Sequence, residues 1–319
     1  MVIGLMSTLN TQFTSPAVRH LTWCLLSPPL ASLNSVPSLN ITKDDSLLVW
    51  LDKLDNNPSH LLEYIQENNH KLLGSYFECL WQYYFLYGPG VSLYADHVQI
   101  NDQKQTLGEL DLLTQINGHP YHVELAVKFY LQKPNTTGSE QSDWVGPQSR
   151  DRLDIKIDKL IHKQFPFLSH PATTNRLKDL NLPNTYQQTL ALKGYLFNQF
   201  KMHYTLPDIC ETGLCMGNWL HASKIQSLIQ SPQGTNRQWC LLPKHEWLGD
   251  FSADQRATES DLQLMDSCTL EILIHQHFYQ NENPKKIYAL MVVSLIKNGA
   301  SYIEDQRFFI VHDQWPETL

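Results

Sequence analysis

Apolar positions change their period several times along the chain. Leu73, Phe77, Leu80 and Trp81 recur every three or four residues, which predicts a helix over Leu72–Tyr87. Gly88-Pro89-Gly90 ends it. Alternation then predicts three strands, near Val91–Ile100, Thr106–Gln115 and Tyr121–Leu131. Asn117-Gly118 between the last two is a hairpin signal. A polar loop over Gln132–Pro147, a helix over Arg150–Gln164 and a strand over Thr189–Phe197 follow. Upstream, Ala17–Leu26 reads as a helix stopped by Pro28 and Pro29. Ala31–Asp45 is a polar connector, and Leu47–Gln66 is weakly helical. Downstream, strands are predicted at Trp239–Leu242, Ile287–Leu295 and Phe308–Val311, with a helix or long loop over Ser252–Thr269. Tyr204–Gln238 is rich in turn formers and has no clear period. The reading is therefore α/β with a central mixed sheet. Residues 1–69 form a helical extension, 70–200 the core, and 201–319 an α+β extension or small domain.

Composition narrows the class. The chain has 319 residues, 42 % hydrophobic and 18 % charged, which suits a folded protein rather than a disordered one. The longest apolar run, Ala289–Ile296, is far short of the roughly 20 residues a bilayer-spanning helix needs. Met1–Ser7 lacks a basic stretch, so no secretory signal and a cytoplasmic location are expected. The net charge of -8 gives the surface as a whole no attraction for a polyanion, so a nucleic-acid contact must be local or metal-assisted. Six scattered cysteines read as free thiols, and Cys210 and Cys215 are poorly spaced for a zinc pair.

Charge is concentrated where buried strands should be apolar. On the second predicted strand Glu109 and Asp111 share a face; on the third, Glu124, Ala126 and Lys128 share one, opposite Val123, Leu125, Val127 and Phe129. The hairpin brings the polar faces together, so Asp111, Glu124 and Lys128 are expected to meet. Two carboxylates with water make a hard oxygen site suited to Mg²⁺ or Mn²⁺, beside which a lysine can stabilise developing charge. A structural salt bridge from Lys128 to Glu124 or Asp111 is the other reading of the same residues.

Gly108-Glu109-Leu110-Asp111 followed by Glu124 resembles the PD-(D/E)XK nuclease superfamily, in particular its resolvase-like branch. The order helix, three strands, helix, strand is similar to that superfamily's restriction-endonuclease-like core. Gly74–Trp81, Thr106–Leu131 and Trp144–Lys163 also resemble an uncharacterised bacterial family assigned to the same superfamily. The resemblance implies a Mg²⁺-dependent nuclease. Asp111 would be the central metal ligand, Glu124 the glutamate of the Glu-x-Lys strand, and Glu78 a helical glutamate helping to hold the metal. Glu109 would be the acid preceding the key aspartate. The chain departs from the pattern at Ala126, where a lysine is expected; Lys128 lies two residues further on the same face. Reading Ala126-x-Lys128 as the motif would lose the glutamate instead.

Arg152, Lys156, Lys159 and Lys163 form a basic stripe on the helix that follows, with Gln148 and Arg150 just before it. Gln148, Arg150, Arg152 and Lys156 are candidate phosphate contacts. Asp151, Asp154 and Asp158 are interleaved, so an ordinary salt-bridged face fits the same pattern. His122 shares the face of Glu124 and reads as a rim residue. His275 and His277 would share a face if Leu270–Phe278 were a strand, and read as packing residues. Three functions remain: a nuclease acting on DNA or RNA, an inactive nuclease-like fold that binds nucleic acid or protein, and an unrelated α/β enzyme using the same carboxylates. A homodimer is compatible with each.

Overall fold

The computed structural model describes residues 12–68, 72–102, 105–211, 213–232, 234–254, 263–281 and 287–317. Three helices come first: α1 (Pro16–Leu26), α2 (Asp45–Asn56) and α3 (Ser59–Glu67). Pro16 opens α1 where no intrahelical N–H is needed. The Asp44 side chain accepts the Leu47 N–H at the start of α2. Helix α4 (Leu73–Tyr87) leads into the antiparallel strands β1 (Val91–Asp102), β2 (Gln105–Ile116) and β3 (His119–Gln132). The short β4 (Trp144–Val145) and helix α5 (Leu153–Lys159) follow. Helix α5 runs into a π-helical turn, Leu160–Gln164. Then come α6 (Pro171–Asp179) and β5 (Gln187–Gln199), which pairs with β3 in parallel. Crossing back to a parallel neighbour needs a helical excursion, and α5 and α6 supply it.

The strands after residue 201 continue the same sheet. They are β6 (Cys215–His221), β7 (Gln238–Leu242), β8 (Ser252–Asp254), β9 (Leu264–Met265), β10 (Leu290–Asn298) and β11 (Ser301–Val311). The order is β1-β2-β3-β5-β6-β11-β10-β7-β9, with β4 beside β3 and β8 beside β11. The protein is thus a mixed α/β fold around a mixed sheet flanked by helices. Among the described residues no helix is long and apolar enough to cross a membrane. The six cysteines are unpaired thiols.

Strand β3 shows how the faces divide. Val123, Leu125 and Phe129 enter one core with Leu21 of α1 and Phe77 and Trp81 of α4. Ala126 and Tyr130 enter a second, with Leu153 and Ile157 of α5 and Leu190, Leu192 and Leu196 of β5. Glu124 and Lys128 are therefore aimed at the layer that holds α5, by the two-residue period.

Four segments differ from the sequence expectation. Leu270–Phe278 lies within a helix, α7 (Ser267–Tyr279), not a strand. Asp266 accepts the Thr269 N–H, and Leu270, Ile274 and Phe278 bury at four-residue intervals, so His275 and His277 do not share a strand face. Ser252–Thr269, expected as a helix or long loop, holds β8, β9 and the first residues of α7; its residues 255–262 lie outside the described ones. Strand β6 sits in the turn-rich stretch without clear period, and helix α6 in a stretch given no element.

Candidate active site

The site lies where β2 and β3 part. Their ladder runs from Ile116–His119 beside the Asn117-Gly118 turn to Leu112–Val123. At the next position Asp111 Oδ2 accepts the Leu125 N–H, 2.8 Å away. A side chain has replaced a backbone partner, and β2 continues paired only with β1. Gly108 fits this divergence: a Cβ there would meet the Phe167 ring at 3.0 Å. The motif glycine lets the ring after α5 close against β2.

On β1 the pairs Asp96–Leu112 and Val98–Leu110 put His97 across from Asp111. His97 has φ of 46°, a conformation uncommon for a side-chain-bearing residue. Its Nδ1 lies 2.8 Å from Glu109 Oε1 and its Nε2 3.8 Å from Glu78 Oε2. Burial lowers the imidazole's proton affinity, but the Glu109 hydrogen bond and the charges of Glu109 and Glu78 outweigh it, for a net rise. Glu78, on α4, is pushed up by burial and then by Asp111, with His97 opposing.

Glu124 is buried, and its Oε1 accepts from Gln164 Nε2. Gln164 Oε1 in turn accepts from Lys156 Nζ at 2.9 Å. Lys156 is buried as well. The π-helical turn explains how residues eight apart reach one another. An α-helix would leave them roughly 80° apart; one residue inserted by a π turn brings the second back to within about 20° of the first.

Electrostatics make the cluster tense. Burial pushes Glu124 up to about 8, Asp111 adds to the rise, and Lys156 opposes it. Asp111 is raised by burial, with the Leu125 N–H and Lys156 opposing. Lys156 is lowered by burial, and Glu124 pulls it back. A buried carboxylate and a part-buried one that raise each other's proton affinity favour holding one proton between them, or a cation.

The expected meeting of Lys128 with Asp111 and Glu124 is not what the geometry gives. Lys128 Nζ donates to Asp151 Oδ2 at 2.6 Å, and the Tyr130 hydroxyl donates to the same oxygen at 3.3 Å. The two-residue displacement along β3 carries the ammonium to the loop before α5. Lys156 is the lysine whose charge acts on both carboxylates. Arg152 is turned away, bound through Nε and Nη2 to Asp154 at 2.6 and 2.8 Å. Gln148 and Arg150 line a separate cleft of about 680 Å³ with Phe278, Tyr288 and Trp315. His122 is fully buried rather than at the rim; burial lowers it to about 4, and both ring nitrogens lack a hydrogen-bond partner.

Sequence reasoning missed His97 and Gln164. A polar Asp96-His97 pair inside a strand was the available signal for the first. The second depends on the π turn, which apolar spacing does not display.

Among the described residues no group of three or more His, Cys, Asp or Glu side chains is arranged to hold a metal ion. Glu78 and Glu109 engage His97 and do not complete a shell with Asp111. What Asp111 and Glu124 offer is two hard oxygen donors. That donor set fits Mg²⁺ or Mn²⁺, which retain water and take phosphate oxygens rather than requiring an all-protein cage.

Compared with known proteins, the chain matches the family described as a domain of unknown function, DUF1853, over residues 19–311. No curated protein and no solved structure matches it significantly. The chain belongs to the DUF1853 family.

Proposed function

We propose that this protein is a divalent-cation-dependent nuclease with a restriction-endonuclease-like core. The observation that carries the reading is the pairing of buried Glu124 with part-buried Asp111 at the parting of β2 and β3, with Lys156 acting on both. The order of α4, three antiparallel strands, α5 and parallel β5 supports it. Asp111 and Glu124 are the residues that would hold Mg²⁺ or Mn²⁺. A bound ion would supply Lewis acidity toward a phosphoryl oxygen and an attacking water.

The chain's own groups do the rest. Gln164 fixes the Glu124 carboxylate through its amide N–H and presents its carbonyl to Lys156. Lys156 supplies the positive charge that offsets build-up on the phosphoryl group, the role first expected of Lys128. His97 and its two glutamates form a proton-accepting rim beside Asp111.

The test is cleavage of single- and double-stranded DNA and RNA with Mg²⁺ or Mn²⁺, comparing wild type, Asp111→Asn and Lys156→Met. Metal-dependent cleavage lost by about 10²-fold or more in both variants is expected. Cleavage unaffected by Asp111→Asn would refute the assignment. The second reading, an inactive fold that binds nucleic acid or protein, draws on the capture of Lys128 by Asp151. Tight nucleic-acid binding with no cleavage of any of the four substrates would favour it.

A further inference from the structure

Helix α4 has a second polar residue two positions before Glu78. Residues two apart on a helix point roughly 200° apart, so Tyr76 faces away from the carboxylate site. There it begins a buried chain of hydrogen bonds. Tyr76 Oη lies 2.9 Å from His20 Nδ1, and His20 Nε2 lies 3.3 Å from Glu246 Oε2. All three side chains are buried and join α1, α4 and the segment after β7.

The direction of the chain follows from its charges. Burial raises Glu246, but the hydrogen bond from His20, with the Arg19 guanidinium among the neighbouring charges, brings it below the ordinary glutamate value. Glu246 is thus an anion at neutral pH and can only accept. Burial lowers His20, so the imidazole is neutral, and its single N–H is assigned to Nε2, toward Glu246. Nδ1 is then an acceptor and takes the Tyr76 hydroxyl proton. The Tyr76 oxygen keeps its lone pairs for an incoming donor.

These three residues border a cavity of about 370 Å³ whose other walls are mostly apolar, Leu62, Ile65, Leu72 and Leu73 among them, with Lys244 and His245 completing the polar part of the lining. Apolar walls with a few convergent polar groups, at the lower end of about 300–1,000 Å³, describe a small-molecule site. We propose that this cavity binds an uncharged, largely apolar small molecule bearing one O–H or N–H donor, which it hands to Tyr76 Oη. The site is separate from the carboxylate cluster, and the proposal does not rest on nuclease activity.

The probes are 1-naphthol, which carries the donor, and 1-methoxynaphthalene, which has the same rings without it. The full-length protein should bind 1-naphthol about five- to tenfold more tightly, the worth of one net hydrogen bond. Tyr76→Phe removes only the hydroxyl and should bring the ratio to about one, leaving the ether's affinity unchanged. Leu72 is 67 % exposed at the rim, so Leu72→Trp does not threaten folding and should weaken both probes. Asp111→Asn should change neither. Absence of saturable binding to the wild type, or a preference that survives Tyr76→Phe, would overturn the proposal. Should Tyr76→Phe not fold, unchanged affinity of both probes for Leu72→Trp would overturn it instead.

Discussion

Replacing Glu124 by Gln isolates the charge that the Asp111–Glu124 pair resists. In the folded protein Glu124 is raised from the ordinary 4.5 to about 8, by burial first and Asp111 second. Between those values the native state holds a proton that the unfolded chain has released. The stability associated with that proton is therefore complete below about 4.5 and is lost as pH rises toward about 8. One proton corresponds to a slope of about 1.4 kcal/mol per pH unit, so between about pH 5.5 and about pH 7.5 the wild type should lose on the order of 2 kcal/mol. In Glu124→Gln the amide cannot ionise, its Oε1 can still accept from Gln164, and Asp111 loses its repelling partner. Its stability should change by less than about 0.5 kcal/mol from this source over the same range. Urea denaturation at several pH values, read as wild type minus variant, measures the difference directly. Parallel curves for the two proteins would refute the assignment of a shared proton to Asp111 and Glu124.

Other perturbations test other parts. Lys156→Ala should raise the pKa of the carboxylate pair and reduce nuclease activity by about 10²-fold or more, whereas Lys128→Ala should stay within about tenfold of wild type; steady-state cleavage rates with a fluorescent substrate separate the two. Gly108→Ala sets a methyl group 3.0 Å from the Phe167 ring and should cost about 1–3 kcal/mol in urea denaturation, as overpacking does. Arg307 is buried, bonded to Glu304 at 2.8 Å through both Nε and Nη2 and to the Trp247 carbonyl at 2.7 Å. Glu304→Gln removes the carboxylate bonded to that guanidinium, leaving Asp250 as the remaining negative charge acting on it, and should destabilise the fold by about 3 kcal/mol, read from the shift in denaturant midpoint.

Where one period governed a segment, the sequence could be read closely. The helix expected over Leu72–Tyr87 is Leu73–Tyr87, and the strand expected over Thr106–Gln115 is Gln105–Ile116. Asn117-Gly118 turns the hairpin as its residue types demand, both with positive φ. Strand β6 was hidden because Gly217 and Asn218 interrupt its alternation, and what holds it as a strand is parallel pairing with β5 and β11 on its two edges. Helix α7 was concealed by a run so apolar that its helical period resembled a strand. At the site, the two-residue period correctly put Glu124 and Lys128 on one face. It could not show that Asp151 waits at the far end of that face, nor that a π turn brings Lys156 and Gln164 onto the carboxylates. Both depend on contacts across the sheet–helix boundary, which no local pattern encodes.

Calorimetric titration of Mn²⁺ into the metal-free protein near neutral pH, beside an Asp111→Ala, Glu124→Ala double variant, tests the central claim most directly. Repeating it in buffers of different ionisation enthalpy counts the protons released, since a metal must displace the proton its ligands share. The expected result is saturable binding by the wild type with release of about one proton, and loss of that binding in the folded double variant. No binding to the wild type at millimolar metal, or equal binding by both proteins, would contradict the assignment of Asp111 and Glu124 as the metal-holding pair.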